Sequence, residues 1–185
     1  MTAVQCCVFD IPKLVDSSSL PFILKRLSEE KFEHVTSLTE EAKGKFRIIL
    51  QQFYEGKLSY DAAVARVLQD IQPPEGYKSV KGWNERLLRT EASKIFTLGY
   101  GDYLLSIGET ECYIPHDGFQ ESKDCAELIA GRKFLIRDIQ KNIYANYDLN
   151  EPIYPTVPLR SYCRHIITKV PKDSKAANSS SLPGA

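Results

Sequence analysis

The chain lacks several features that would place it at once in a functional class. Its 185 residues contain no run of about 18 apolar residues, so no segment is predicted to span a membrane. Basic side chains number 24 and acidic side chains also 24, so there is no surplus positive charge of the kind that a protein coating DNA needs. The first residues lack the basic stretch and small-residue cleavage site of a secretory signal, and we expect synthesis in the cytosol.

Cysteine occurs in an odd number and at irregular spacing, with five in the chain. A disulfide-stapled domain usually shows an even number of cysteines in a short chain. A strong zinc signature usually shows paired C-x-x-C knuckles, and the sequence has none. The cysteines are therefore predicted to be reduced thiols.

Helical patterns dominate what is present in the N-terminal half. Apolar residues recur at helical spacing in three stretches, which begin near Ser19, Ser37 and Ser59. The segment from 72 to 82, rich in Pro, Gly, Lys and Ser, marks the best internal boundary. Residues 1–78 are therefore predicted to form an N-terminal arm and helices. A longer helical pattern follows from about Trp83 to Ile107, although glycines weaken its middle.

Beyond Gly108 the apolar spacing changes to that of short strands. Three β-prone runs, 110–114, 133–136 and 163–170, predict a small antiparallel sheet closed by the last run. A short helix is expected over 124–130 and a long loop over 139–158. We predict an α+β fold in which the long central helix packs on this sheet, with residues 79–170 as one helix-plus-sheet domain. Residues 171–185 have little to bury and are predicted to be a disordered or partner-ordered tail.

Three short motifs lie in this region in a fixed order. They are Arg89-Thr90-Glu91, then Asp124-Cys125-Ala126-Glu127-Leu128 with Gly131 and Phe134, then Pro158-Leu159-Arg160-Ser161-Tyr162-Cys163-Arg164-His165. Together they resemble the Mu F-like (head-morphogenesis, minor head protein) family of tailed bacteriophages. Its members carry an R-T-E helix, a loop reading roughly D-x-x-x-x-x-x-[CH]-x-x-L-x-G-x-x-F, and a closing P-x-x-x-x-C-R-[CH]. The resemblance covers the chain from about Glu55 to Val170.

The resemblance implies a structural minor head protein that binds partners and is not an enzyme. Such proteins associate with the portal vertex and capsid interior and assist head assembly, genome packaging or ejection. The implied partners are the portal or major capsid protein and packaged DNA, and the implied location is the virion head after synthesis in the host cytoplasm. Two alternatives stay open: a small metal- or thiol-dependent hydrolase, and a DNA-contacting packaging factor.

Cysteine and histidine supply the candidate metal ligands. Cys163 and His165 are two apart, so on a strand both would leave the same face. With Cys125 and His116 they could form a tetrahedral zinc site, because zinc prefers thiolate and imidazole ligands. In the Mu F-like family the positions matching Cys125, Cys163 and His165 are often Cys or His, but the second Cys that some members add is missing here. We therefore expect no cofactor and no catalytic residue, with zinc as the alternative to simple packing of the thiols.

The R-T-E triplet admits two interpretations. Arg89 lies one helical turn from Glu85, and Glu91 lies three residues before Lys94. Exposed ion pairs, worth about 0.3–0.5 kcal/mol each, would account for both charges. The resemblance implies instead a structural motif, and we favour a latch in which this helix braces the closing segment, the stretch around Cys163, Arg164 and His165. The residues of that motif are Arg89, Thr90, Glu91, Pro158 and Arg164.

Overall fold

A computed structural model of the chain describes residues 7–33, 35, 38–73, 79–116, 123–145, 153–159, 163–171 and 177–178. The fold is α+β, as predicted, with a long central helix and a small sheet. Within the described residues, no helix is both long and apolar enough to cross a membrane. After a 3-10 turn at Val8–Asp10, the elements are α1 Ile11–Leu14, α2 Leu20–Glu29, α3 Glu40–Tyr54, α4 Tyr60–Asp70, α5 Val80–Ser106, β1 Glu111–Ile114, α6 Lys123–Leu128, β2 Arg132–Leu135, α7 Ile136–Ala145 and β3 Ala177–Asn178.

Hydroxyl side chains cap three of the helices. Thr39, Ser59 and Ser79 each accept a hydrogen bond from the backbone N–H three residues later, at the starts of α3, α4 and α5. Such caps satisfy N–H groups that have no partner within the helix. Each cap therefore fixes where its helix begins. Ser37, near which the sequence predicted the start of α3, lies outside the described residues.

A first, helical core lies between α2, α3, α4 and the N-terminal half of α5. Its largest fully buried rings are Phe32, Phe46, Phe53, Tyr54 and Phe96. The apolar stripes that predicted these helices point into this core, because a surface helix must bury its apolar face against another element. The helical core therefore forms the platform on which the first two thirds of α5 rest.

A second core lies under the sheet. β1 and β2 pair antiparallel, with Glu111 opposite Leu135 and Ile114 opposite Arg132, and β3 pairs parallel with β2. The predicted closing strand over 163–170 is wrong in part: among the described residues it joins the sheet through one antiparallel bridge, Tyr113 to Thr168. The reason is that the carbonyls of Arg164 and His165 accept hydrogen bonds from Val8 and Ser93 on the helical side and not from a neighbouring strand.

The predicted loop over 139–158 begins instead as a helix. Residues 139–145 belong to α7, and Ile136, Ile139 and Ile143 are buried in the sheet core at helical spacing. This three-to-four spacing indicates a helix, and the tyrosines and prolines downstream obscured it. Helix α7 covers one side of α5 and completes the second core.

Two glycines allow α5 to meet its neighbours at close range. A Cβ on Gly99 would lie 2.4 Å from the Cα of Ile23 in α2, and one on Gly101 would lie 2.9 Å from Nε2 of Gln140 in α7. Beside them, the Asp102 carboxylate accepts hydrogen bonds from Arg26 at 2.6 and 2.9 Å and from Gln140 at 2.9 Å. The C-terminal third of α5 is therefore where α2, α5 and α7 are joined.

Candidate functional site

The structure brings together Cys125, Cys163 and His165. One potential ligand atom from each side chain lies within 4.8 Å of the other two. The Sγ atom of Cys163 lies 3.5 Å from Nδ1 of His165. All three residues are buried, with 6%, 5% and 1% of their surface exposed. Two distant sequence motifs thus meet inside the sheet core.

Backbone hydrogen bonds hold Cys125 against the sheet. Its carbonyl accepts from the N–H groups of Ile129 at 3.1 Å and Ala130 at 2.9 Å, which closes the C-terminal end of α6. Gly131 then adopts a φ of +71°, a left-handed conformation that favours glycine, and its N–H donates to the carbonyl of Ile114 in β1 at 2.8 Å. The position of the Cys125 thiol is therefore set by β1 and β2.

The segment that carries Cys163 and His165 is held at three points. The N–H of Val8 donates to the carbonyl of Arg164 at 2.8 Å, and the hydroxyl of Ser93 in α5 donates to the carbonyl of His165 at 2.8 Å. Thr168 exchanges backbone hydrogen bonds with Tyr113 at 2.8 and 2.9 Å. The first two contacts come from the helical side and the third from β1, so the segment is fixed between the two cores.

The surroundings of two buried thiols, Cys163 and Cys112, raise the pKa of each. A hydrogen bond with Cys125 and burial raise the pKa of Cys163 well above its ordinary value, opposed by hydrogen bonds from the backbone of Leu159 and His165. Burial, with a smaller contribution from the nearby charge of Glu111, raises the pKa of Cys112 in the same core to about 12. A neutral thiol is a poor nucleophile, so these surroundings do not activate cysteine for covalent chemistry.

His116, the fourth candidate ligand, does not join this group. It is exposed and follows β1, and its Nε2 lies against Gly131, where an added Cβ would be 2.7 Å away. Cys112, which could have replaced a ligand, is also separate, with its Sγ 3.7 Å from the carbonyl of Phe134. The metal-ligand set predicted from the sequence is thus reduced to three residues.

The pair Glu91 and Lys94 forms as the helical spacing predicts, but it is buried and not exposed. Nζ of Lys94 lies 2.6 Å from Oε2 of Glu91, an ion contact that lacks hydrogen-bond geometry, and 3.2 Å from Oε2 of Glu30. The other oxygen of Glu30 accepts from the N–H of Phe32 at 2.8 Å. We call Glu30, Glu91 and Lys94 the buried charge triad. The interpretation of Glu91 as part of a solvated face is therefore wrong.

The remaining motif residues lie around the same contact zone. Half-buried Arg89 donates from Nε to the hydroxyl of Tyr60 at 3.4 Å, and its guanidinium lies 5.7 Å from the ring centre of Phe9. Thr90 and Pro158 are half-buried as well, and Arg164 contributes its carbonyl to Val8. Arg89 thus contacts Phe9 in the 3-10 turn, and Val8 of the same turn is hydrogen-bonded to Arg164. Direct bracing of the closing segment by Arg89 stays a prediction.

Two contacts were not predicted from the sequence, that of Ser93 with His165 and that of Lys94 with Glu30. Ser93 and Lys94 occupy buried positions on α5, where apolar residues would be expected. A polar residue inside an otherwise apolar helical stripe could have indicated these contacts, because a buried polar group needs a hydrogen-bond partner. The partners themselves, His165 for Ser93 and Glu30 for Lys94, are set by tertiary contacts.

An open groove of about 730 Å³ lies at another part of the surface. Its lining includes Phe9, Tyr60, Glu85 and Arg89 from the helical side. The residues that line this groove include no cysteine or histidine. Cys125, Cys163 and His165, which we call the Cys/His group, therefore do not open onto it.

No protein-family model, no curated protein and no solved structure matches this chain. The Mu F-like resemblance therefore rests on the three sequence motifs alone.

Proposed function

We propose that this protein is a structural minor head protein of a tailed bacteriophage, bound at the portal or on the capsid interior. One observation carries the proposal: the second and third family-like motifs lie together in the fold, and the helix that carries the first motif is hydrogen-bonded to the third. Cys125 of the second motif lies against Cys163 and His165 of the third. Ser93, on α5 two residues after the R-T-E triplet, donates to the carbonyl of His165 at 2.8 Å. A shared packing requirement explains why such motifs occur together in one chain.

The chemistry around the motifs favours a binding role over catalysis. The Cys/His group is buried, and the pKa of Cys163 is raised. A hydrolase needs an accessible nucleophile or metal in a pocket that admits substrate. Equal numbers of acidic and basic side chains also favour protein partners over DNA.

Co-sedimentation with phage particles tests the proposal. The tagged protein is produced in cells that make heads, and the lysate is separated on a density gradient. We expect the protein in the head fraction, and also bound to purified portal rings or capsid protein. A lysate that cannot make capsid or portal is the matched control, and there the protein should leave the particle fraction. Recovery in the non-particle fraction alone would contradict the proposal.

Salt and nuclease treatment separate this function from DNA-contacting packaging. A complex held by protein contacts should survive nuclease digestion of heads opened to release DNA. For a protein that binds phosphates, the logarithm of the binding constant falls linearly and steeply with the logarithm of the salt concentration. Release by nuclease or by moderate salt would support the DNA-contacting alternative.

The hydrolase alternative has its own matched variants. Cys163→Ala removes a thiol of the Cys/His group, and Cys112→Ala removes a buried thiol of the same core outside it. We expect no turnover of ester, peptide or nucleic-acid substrates by the wild-type protein. Turnover that vanishes in Cys163→Ala and persists in Cys112→Ala would establish a hydrolase.

A further inference from the structure

We propose that Cys125, Cys163 and His165 bind one Zn²⁺ ion that fastens the closing segment to α6. The inference concerns the protein's own fold, and it stands or falls independently of the proposed role in phage heads. A tetrahedral zinc ion with Zn–S near 2.3 Å and Zn–N near 2.0–2.1 Å holds its sulfur and nitrogen ligands about 3.5 Å apart. Cys163 Sγ and His165 Nδ1 lie 3.5 Å apart.

The third ligand lies close to the required position. Two thiolates on one tetrahedral zinc ion are separated by about 3.8 Å. In this protein the three candidate ligand atoms lie within 4.8 Å of one another. The largest separation therefore exceeds the ligand-to-ligand distances of a tetrahedral zinc site, about 3.5–3.8 Å, by about 1.3 Å at most, and side-chain rotation supplies movements of that size.

The donor set selects the kind of metal. Two sulfurs and an imidazole are soft and borderline ligands, which suit Zn²⁺ and not the oxygen-seeking Ca²⁺ or Mg²⁺. Metal binding converts the thiols to thiolates and releases their protons. The backbone groups of Leu159 and His165 that hydrogen-bond the Cys163 sulfur are then suitably placed to support its negative charge.

Cys112 shows that the grouping is not a general property of buried thiols here. It is 0% exposed and belongs to the same core, yet it is not part of the Cys/His group. Its sulfur instead contacts the carbonyl of Phe134 at 3.7 Å. Cys112 is therefore a natural internal control for each ligand variant.

Zinc at this place would connect parts of the chain that are distant in sequence. Cys125 is fixed to β1 and β2 through α6, whereas Cys163 and His165 lie on the segment that Ser93 and Val8 hold from the helical side. The three residues leave one tetrahedral position for water or a further ligand. Since all three are buried, the ion would act as a structural crosslink.

Metal analysis of the purified full-length chain provides the first test. The protein is prepared under reducing conditions without a metal-affinity tag, loaded with Zn²⁺ and desalted. We expect about one Zn²⁺ per chain. Cys125→Ser, Cys163→Ser and His165→Asn should each weaken binding by more than about 100-fold, because loss of even an outer-shell partner costs about 10–100-fold. Cys112→Ser should bind zinc like the wild type.

Cobalt substitution and hydrogen exchange identify the site independently. Co²⁺ in place of Zn²⁺ should give thiolate-to-metal charge transfer and the intense d–d bands of a tetrahedral ion. Chelation should accelerate amide exchange in α6 and in residues 163–168, with little change in α3 and α4. The Cys112→Ser protein should repeat both results.

The wild-type protein alone can overturn the inference, so it remains testable if a ligand variant fails to fold. Failure to retain stoichiometric zinc after full reduction and reloading would disprove it. A Cys125–Cys163 disulfide in the purified protein, with no zinc uptake after its reduction, would show a redox pair and no metal site. Equal loss of zinc in Cys112→Ser would show that core disruption, and not lost coordination, explains the variants.

Discussion

The side chain of Lys94 is fully buried beside two carboxylates, Glu91 from its own helix and Glu30 from the end of α2. Moving a charge out of water is costly unless opposite charge and hydrogen bonds compensate. The spacing of Glu91 and Lys94 was visible in the sequence, but their burial was not. The burial of Lys94 depends on Glu30 and on Phe32, both far from α5 in the sequence. The centre of the Phe32 ring lies 5.8 Å from Nζ of Lys94.

Removing one member of the buried charge triad should destabilise the protein strongly. Lys94→Ala leaves two carboxylates facing each other, and Glu91→Ala removes the nearest partner of the lysine. Breaking a buried pair in this way costs about 3–5 kcal/mol. Denaturant unfolding followed by the fluorescence of the single tryptophan, Trp83, in the helical core provides the measurement.

The exposed pair Glu41 and Lys45 in α3 is the control for the triad. Its atoms lie 2.7 Å apart, but both side chains are largely in water. Glu41→Ala should leave the unfolding midpoint unchanged within error. Small effects of all three substitutions would mean that the triad is hydrated in solution and does not hold α2 to α5.

The single-residue contacts of the Cys/His group were also only partly visible in the sequence. The two-residue spacing predicted that Cys163 and His165 would lie together, and they do. Cys125 was expected there from the motif resemblance, and the structure places it there. His116 was expected from residue type alone, which carries no information about distance, and it lies elsewhere.

At the scale of elements, α5 owes its packing to residues that are poor helix formers. Helix propensity predicted that glycine weakens the middle of α5, and propensity is a local quantity. The close approach of Ile23 to Gly99 is a contact between elements, which no local pattern encodes. The segment 163–170 failed as a predicted strand for a related reason: the carbonyls of Arg164 and His165 accept hydrogen bonds from Val8 and Ser93, and no strand pattern encodes such contacts.

Alanine substitution at two glycines should therefore have opposite effects. Gly99→Ala forces a Cβ against the α2 backbone, at 2.4 Å from Cα and 2.8 Å from N of Ile23. We expect a loss of about 1–3 kcal/mol, as for other overpacked sites. Gly44→Ala in α3 meets nothing within 4 Å and should stabilise the protein by about 0.5–1 kcal/mol.

Thermal and denaturant unfolding of the two alanine variants test this prediction. The helical content of both, followed by circular dichroism, should match the wild type at low temperature. If Gly99→Ala were as stable as Gly44→Ala, α2 and α5 would be farther apart in solution than the contact at Ile23 requires.

At the scale of the whole molecule, composition and apolar spacing were enough to predict an α+β fold with a long central helix. They could not show how the two cores share that helix. Residues from Trp83 to Phe96 belong to the helical core, and Leu98 and Leu104 belong to the sheet core. The composition predicted a boundary after residue 78. Packing continues across it, however, because α2 and α4 both contact α5.

Dividing the chain between residues 78 and 79 should therefore give two fragments that depend on each other. The fragment 79–185 would expose Trp83, Leu87, Leu88, Ile95 and Phe96, all now buried in the helical core. Each large apolar side chain loses about 1.5–3 kcal/mol of burial on exposure. We expect this fragment alone to aggregate or to lack fixed tertiary structure, and the two fragments produced together to form a one-to-one complex. Size-exclusion chromatography with light scattering, and the near-ultraviolet circular dichroism of Trp83, measure both outcomes. The undivided chain is the reference for the native signal. A monomeric 79–185 fragment that unfolds cooperatively would instead show that the helix-plus-sheet region is an independent domain and that the first 78 residues are an accessory to it.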